Sequence, residues 1–265
     1  MKKRQALKIR PFLIKWFIGF NCLLAFSPPY LPAANQGSPS LNSAEQAGVV
    51  SELEGLLTKL KDLEEPVSRE GAGYLIAQAP GERYKLQFRL IARSPGAFRL
   101  ELFDLFGRPA WYLISYAGET RLFSPSQQKE IPFGQMFSGP FAAISQMPSP
   151  EITKIFWGRV PLLPFEKSQV KSDLKAGQES IRLIFEGAGR QEIFVTPNPF
   201  TLLKSLITPT PKAEEIEITF SDFSLVAGNR LPLTCEVRQK ERLLVIHYET
   251  VIPREDIPND VFHLP

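Results

Sequence analysis

Apolar residues recur along this chain with two different periods, and the change from one to the other outlines its architecture. Val49, Val50, Leu53, Leu56, Leu57, Leu60 and Leu63 follow three- and four-residue spacing, which predicts an amphipathic helix. Ser43 is a candidate N-cap and Pro66 lies just past the end. Such a stripe is expected to pack on a domain core. From Gly71 the period becomes two. Tyr84, Leu86, Phe88 and Leu90 alternate with polar residues, as do Phe98, Leu100 and Leu102. The same holds for Ile216, Ile218 and Phe220, and for Leu231, Leu233, Cys235 and Val237. Strands of this kind have one apolar and one wet face, the pattern of antiparallel sheet. About ten are predicted between residues 70 and 252, most joined by short turns such as 79–81, 94–96 and 227–229.

Residues 134–158 interrupt the alternation with a helical pattern. Ser149-Pro150-Glu151 reads as an N-cap, a first-turn proline and a first-turn acid, followed by Ile152, Ile155 and Phe156 on one face. The predicted order is helix, long β-meander, helical insert, further meander. One curved antiparallel sheet with helices on its concave side accommodates it as a single domain.

The first ten residues are rich in Lys and Arg, and Trp16–Phe26 (WFIGFNCLLAF) is a mostly apolar run. That run fits a signal-peptide h-region and is short for a membrane-spanning helix, which needs about 20 residues. Residues 1–34 are therefore read as a signal peptide or N-terminal anchor, with Ala33 and Ala34 near a cleavage point. Residues 35–43 (NQGSPSLNS) read as a linker and 44–265 as the folded domain. Cys22 is a candidate lipidation site, although Phe20-Asn21 before it makes a poor lipobox. All these readings place residues 35–265 outside the cytoplasm.

Charge and composition remove several function classes. Residues 1–34 hold six of the 31 basic residues and none of the 28 acidic ones, so the rest of the chain carries 25 against 28. Without a basic surface, nucleic acid is not an expected partner. There are two histidines, no G-x-S-x-G elbow, no Walker motif and no cluster of Cys and His at zinc spacing. Gly71-Ala72-Gly73 starts like a dinucleotide loop, but Ile76 stands where its last glycine belongs. His247 in a strand reads as structural and Cys235 as inert core. Neither a catalytic residue, a cofactor nor a metal is expected. What stands out is 20 Phe against 6 Tyr and 3 Trp. Phe adds apolar area without a polar handle. That suits either a Phe-rich core or a cavity lined for acyl chains.

The stretch Ser94–Pro125 (SPGAFRLELFDLFGRPAWYLISYAGETRLFSP) resembles the LolA/LolB family, which pairs a periplasmic lipoprotein carrier with an outer-membrane lipoprotein receptor. The resemblance rests on Pro95, Phe98-Arg99, the turn at Phe106-Gly107, Ser115, Gly118 and Phe123-Ser124-Pro125. The helix-first order, the central insert and the ending Ile257–Phe262 also fit, so it spans roughly residues 45–265. Glu151–Pro161 (EITKIFWGRVP) is similar to an uncharacterised branch of LolB-like bacterial lipoproteins.

The resemblance implies a mainly β fold, a half-open curved antiparallel β-barrel of about ten or eleven strands. An N-terminal helix and the helical insert would lie on its concave side as a lid. It implies an exported periplasmic or outer-membrane protein that takes acyl chains of a lipoprotein or lipid into an apolar cavity. No bond chemistry is implied, and a monomer is expected. Tyr84, Phe88, Phe98, Leu100, Leu102, Trp111, Leu113 and Leu122 are the candidate cavity residues. Asp104-Leu105-Phe106-Gly107 looks like the protruding apolar turn that LolB uses at the membrane, which makes Leu105, Phe106 and Arg108 candidate membrane contacts. The alternative for the turn is that it folds back over the barrel rim as core. Two rival readings of the whole are an envelope assembly protein whose cavity is filled, and a lipid hydrolase dependent on His247.

Overall fold

A computed structural model of the chain describes residues 54–60, 68–94, 96–131, 141, 143, 144, 147, 149–175, 178–187 and 189–264. The chain divides into two units, 1–41 and 42–265, and every described residue lies in the second. Cys22, the candidate export segment and the linker 35–43 lie outside the described residues.

Residues 54–60 form a helix, α1, with Leu56 and Leu60 buried. Six strands follow: β1 (Arg69–Ala79), β2 (Glu82–Arg93), β3 (Ala97–Phe103), β4 (Pro109–Tyr116), β5 (Glu119–Ser124) and β6 (Lys129–Ile131). Next comes α2 (Ser149–Phe156), within the segment where the sequence predicted a helical insert. The chain then makes β7 (Lys167–Lys175), β8 (Gln178–Glu186), β9 (Arg190–Pro197) and β10 (Phe200–Thr208). The last strands are β11 (Ile216–Val226), β12 (Asn229–Gln239) and β13 (Arg242–Pro253), before a 3-10 turn at Asn259–Phe262.

All thirteen strands form one antiparallel sheet, in the order β6-β5-β4-β3-β2-β1-β13-β12-β11-β10-β9-β8-β7. Two meanders run outward from the centre, where β1 pairs with β13. The edges β6 and β7 are not joined, so the barrel is half-open. The β6-to-β7 connection must carry the chain from one edge to the other, and α2 lies on that path. The expected fold class stands, with a larger sheet than about ten or eleven strands. Alternation undercounts because β6 has three residues and β7 (KSQVKSDLK) has little apolar content to alternate.

Tight turns set the register. Ala117-Gly118 and Ala227-Gly228 join their strands as two-residue loops, with both residues of each pair at positive φ. That is the hairpin geometry whose twist matches the flanking strands. The Gly71-Ala72-Gly73 sequence is strand, and its glycines answer a packing demand. The β1–β13 register shifts at Ala72/Gly73, and a Cβ on Gly73 would lie 1.9 Å from the His247 carbonyl oxygen. One on Gly71 would press on the Tyr248 ring at 2.9 Å.

The two faces of the sheet carry different cores. The inner face buries the inward phase of β1–β5 and β8–β13 against α1, α2 and Phe141, Ile144 and Met147. On the outer face, Ile91, Ala97, Tyr112 and Ile114 form a second cluster with Ile257 and Phe262 of the C-terminal segment. Arginines tie that segment down. Arg93 Nη1 donates to the Ile257 carbonyl at 2.7 Å, and Arg99 Nη1 donates to those of Val261 and His263 at 2.9 Å.

Candidate functional site

The eight residues proposed as a cavity lining all stand on the inner face in one apolar cluster. Phe88, Phe98, Leu100, Leu102, Leu113 and Leu122 are fully buried, and Tyr84 and Trp111 are half-buried against them. Strand alternation puts them there: Leu100 sits across from Leu90 and Leu113, and Leu113 across from Leu122. The cluster is covered by the insert. The Phe156 ring of α2 lies 5.5 Å from Phe98 and 6.4 Å from Phe141. Ile152, Ile155 and Trp157 complete the cover. An acyl chain reaching this face therefore has to take the place of insert side chains.

The end of α2 is held at one carbonyl. Arg69, 3% exposed, donates from Nη2 to the Phe156 oxygen at 3.1 Å, and the Tyr248 hydroxyl donates to the same oxygen at 2.5 Å. A cation at a helix C-terminus meets the negative end of the helix dipole. The guanidinium also lies 5.4 Å from the Trp157 ring and 5.7 Å from that of Tyr248. Burial lowers the pKa of Arg69 and raises that of Tyr248. Gly158 then ends the helix at φ +69, where a Cβ would lie 2.7 Å from Pro232. The covering helix is thus pinned to β1, β12 and β13 at its last turn. The sequence pattern did not reveal this pin, because its acceptor is a backbone oxygen 87 residues from Arg69.

The β3–β4 turn points outward. Leu105 is 90% and Phe106 82% exposed, so the alternative that they fold back as core does not describe this structure. The turn is nevertheless well ordered by its own hydrogen bonds. Asp104 Oδ1 accepts from the N–H groups of Phe106 and Arg108, both at 2.9 Å. Oδ2 accepts from Arg108 Nε at 2.8 Å and pairs with Nη2 at 2.7 Å. Backbone bonds close it further: Asp104 N–H to the Arg108 oxygen at 2.9 Å, and Gly107 N–H to the Asp104 oxygen at 3.0 Å. Gly107 supplies the φ of +71 that this path requires. The Arg108 N–H first, and then its guanidinium, hold the Asp104 carboxyl below its ordinary pKa. Arg108 is thus engaged by Asp104, and its guanidinium lies 5.2 Å from the Phe106 ring.

No family model and no curated protein matches the chain. Solved structures do. A LolA superfamily protein from Nitrosomonas europaea superposes with a TM-score of 0.56 at 13% identity, over 80% of this chain and 97% of that one. The fold is that of the LolA superfamily. A DUF1329 family protein from Desulfovibrio piger (TM-score 0.58, 13% identity) covers 81% of this chain and 97% of its own. A putative outer membrane lipoprotein-sorting protein domain from Vibrio parahaemolyticus (0.55, 13%) covers 78% and 94%. Likeness at this identity fixes the LolA fold and leaves residue roles to the geometry of this chain.

Within that LolA fold, His247 and Cys235 have the structural surroundings expected of them. His247 Nδ1 lies 2.8 Å from Thr234 Oγ1, which donates to Asp222 at 2.6 Å, and its ring stacks on Tyr74 at 4.8 Å. Cys235 is buried, and desolvation pushes its thiol up, away from the reactive thiolate. Among the described residues, no three of His, Cys, Asp and Glu are placed to hold a metal ion. No described helix is long and apolar enough to cross a membrane.

Proposed function

We propose that this is an exported envelope protein that binds acyl chains of lipoproteins or lipids on the inner face of its sheet. It transfers them to or at the outer membrane, and no covalent step is involved. One observation carries the reading: a single hairpin supplies both parts of the site. The inner face of β3–β4 presents Leu100, Leu102 and Leu113, and its tip presents Leu105 and Phe106 to solvent. A cargo chain on that face and a membrane at that tip are then one strand length apart. Two adjacent large apolar side chains exposed on a hydrogen-bonded turn fit insertion into lipid better than contact with water. The insert acts as a lid: α2 covers the face while empty and is displaced by cargo. The burial of one methylene, about 0.8 kcal/mol, sets the scale on which insert and acyl chain compete.

A second reading has a specific observation in its favour. Six of the eight lining side chains are already fully buried, as a permanently filled core requires. On that reading the chain is a structural or assembly protein of the envelope. Native mass spectrometry of protein purified from the envelope separates the two. Retained lipid, lost on adding a delipidating detergent, supports the carrier. Lipid-free protein that also fails to take up an added fluorescent fatty acid supports the filled core. The enzyme reading predicts lipid turnover that disappears in His247→Ala, whereas the carrier reading predicts no turnover in either protein.

A further inference from the structure

Two other hairpins end on the same side of the sheet as Leu105 and Phe106. Phe103 stands opposite Gln87, and the β1–β2 turn lies beyond Glu82, roughly 17 Å further along β2 at about 3.4 Å per residue. Beside it is the β12–β13 turn, since Gln78 stands opposite Leu243 and Gln239 opposite Arg242. Between these tips is a notch of about 370 Å³, lined by Gln78, Pro80 and Gly81 on one side and Arg238, Lys240 and Arg242 on the other.

We propose that this notch binds the phosphodiester of an anionic phospholipid headgroup. The proposal deepens the membrane-contact reading of the Leu105–Phe106 turn and rests on it for the lipid as source. The charge argument comes first. Three cations line the notch against one carboxylate, that of Glu241. Arg238 pairs with Glu236 at 2.5 Å, and Lys240 pairs with Glu214. Arg242 has no ion pair among the described residues. Arg83, which faces Gln78 across the β1–β2 pair, has none either. A phosphodiester supplies the missing anion, and a guanidinium can hold two of its oxygens at once. A headgroup that also carries an ammonium would bring a like charge to the unpaired Arg242.

Shape agrees with this assignment. A Cβ on Gly81, at φ +77, would meet nothing within 4 Å, so the notch is open at its tip. Leu243 and Pro80 offer apolar walls to the carbons that follow the phosphate.

The test is calorimetric titration of the full chain with dihexanoyl phosphatidylglycerol below its micelle concentration. Dihexanoyl phosphatidylcholine and inorganic phosphate serve as parallel titrants. Phosphatidylglycerol is expected to bind, phosphatidylcholine not to bind, and phosphate to bind at least about tenfold more weakly, lacking the contacts to Leu243 and Pro80. Arg242→Gln and Lys240→Gln are each expected to weaken phosphatidylglycerol by about fivefold, the scale of one basic residue at a lipid surface. Glu241→Gln is expected to strengthen it, which keeps the test decisive should a cation variant fold poorly. Unchanged affinity in the double variant Arg242→Gln/Lys240→Gln overturns the notch as the site. Phosphate binding as tightly as phosphatidylglycerol overturns the lipid headgroup in favour of a free anion. Phe106→Glu should leave this titration unchanged. Failure of the membrane-contact reading therefore shows in vesicle partitioning of Phe106→Glu, and failure of the notch shows here.

Discussion

Phe106→Glu isolates the proposed membrane contact from the fold. The side chain is 82% exposed and makes no inner-core contact, so its replacement should shift the unfolding free energy by no more than about 0.5 kcal/mol. Its value should appear only at a lipid surface. Full burial of a Phe or Leu side chain is worth about 1.5–3 kcal/mol. Losing one of the two exposed apolar groups should therefore weaken partitioning by about tenfold to a hundredfold, at about 1.4 kcal/mol per decade. The Glu adds a charge that resists insertion and pushes the result to the upper end. Flotation with phosphatidylethanolamine–phosphatidylglycerol vesicles measures the partition coefficient. Transfer of a fluorescent acylated peptide to the same vesicles measures the consequence. Parent and variant carry the same N-terminal segment, so the ratio between them reads the turn alone. A folded variant whose partition and transfer both match the parent refutes the membrane contact. A variant that unfolds shows the turn to be core despite its exposure.

Other perturbations address the framework and the lid. Asp104→Asn removes the Arg108 ion pair but leaves Leu105 and Phe106 in place, so partitioning should fall far less than in Phe106→Glu while exchange of the Phe106 and Arg108 amides speeds up. The pH dependence follows from the lowered Asp104 pKa. The carboxylate's contribution is complete above the unfolded value of about 3.9 and is lost only as pH falls through the lower folded value, so amide exchange in the turn, corrected for its intrinsic pH dependence, should be flat from pH 7 to about 4.5. Arg69→Met removes a charge-assisted bond worth about 1.5–3 kcal/mol but also spares the burial of a guanidinium, so overall stability should change little while amide exchange at Trp157 and Gly158 accelerates and fatty-acid uptake quickens. Unchanged exchange there would show that Tyr248 alone holds the helix end. Gly73→Ala puts a methyl against the His247 carbonyl within the sheet, and should lower stability by about 1–3 kcal/mol or prevent folding; a midpoint equal to the parent's would contradict the close approach.

The sheet was legible because an inner face against a core and an outer face against water force a period of two. Tyr84–Leu90 and Phe98–Leu102 show it plainly, and their inward phase is the one the structure buries. The covering helix was legible for the same reason: Ile152, Ile155 and Phe156 share one face and reach the cluster. Where pattern had no hold, the reading fell short. β6 is too short to alternate, and β7 is an edge strand with few apolar residues to alternate. The pin at Phe156 and the C-terminal strap also escaped. Both use arginines donating to carbonyl oxygens distant in sequence, and a backbone acceptor has no residue signature. The Leu105–Phe106 turn was legible both as a turn and as a protruding one; the Asp104 hydrogen bonds that shape it were not.

The claim that acyl chains occupy the inner face is tested most directly by photocrosslinking. A fatty acid bearing a diazirine near its terminal carbon is bound to the protein, irradiated, and the adducts are mapped by peptide mass spectrometry. The account predicts adducts on Phe88, Phe98, Leu100 and Leu113 and on Ile152 or Phe156 of the displaced insert, all suppressed by excess acylated peptide. Adducts confined to outer-face residues such as Tyr112 and Ile114, or specific binding with none on the inner face, would contradict it.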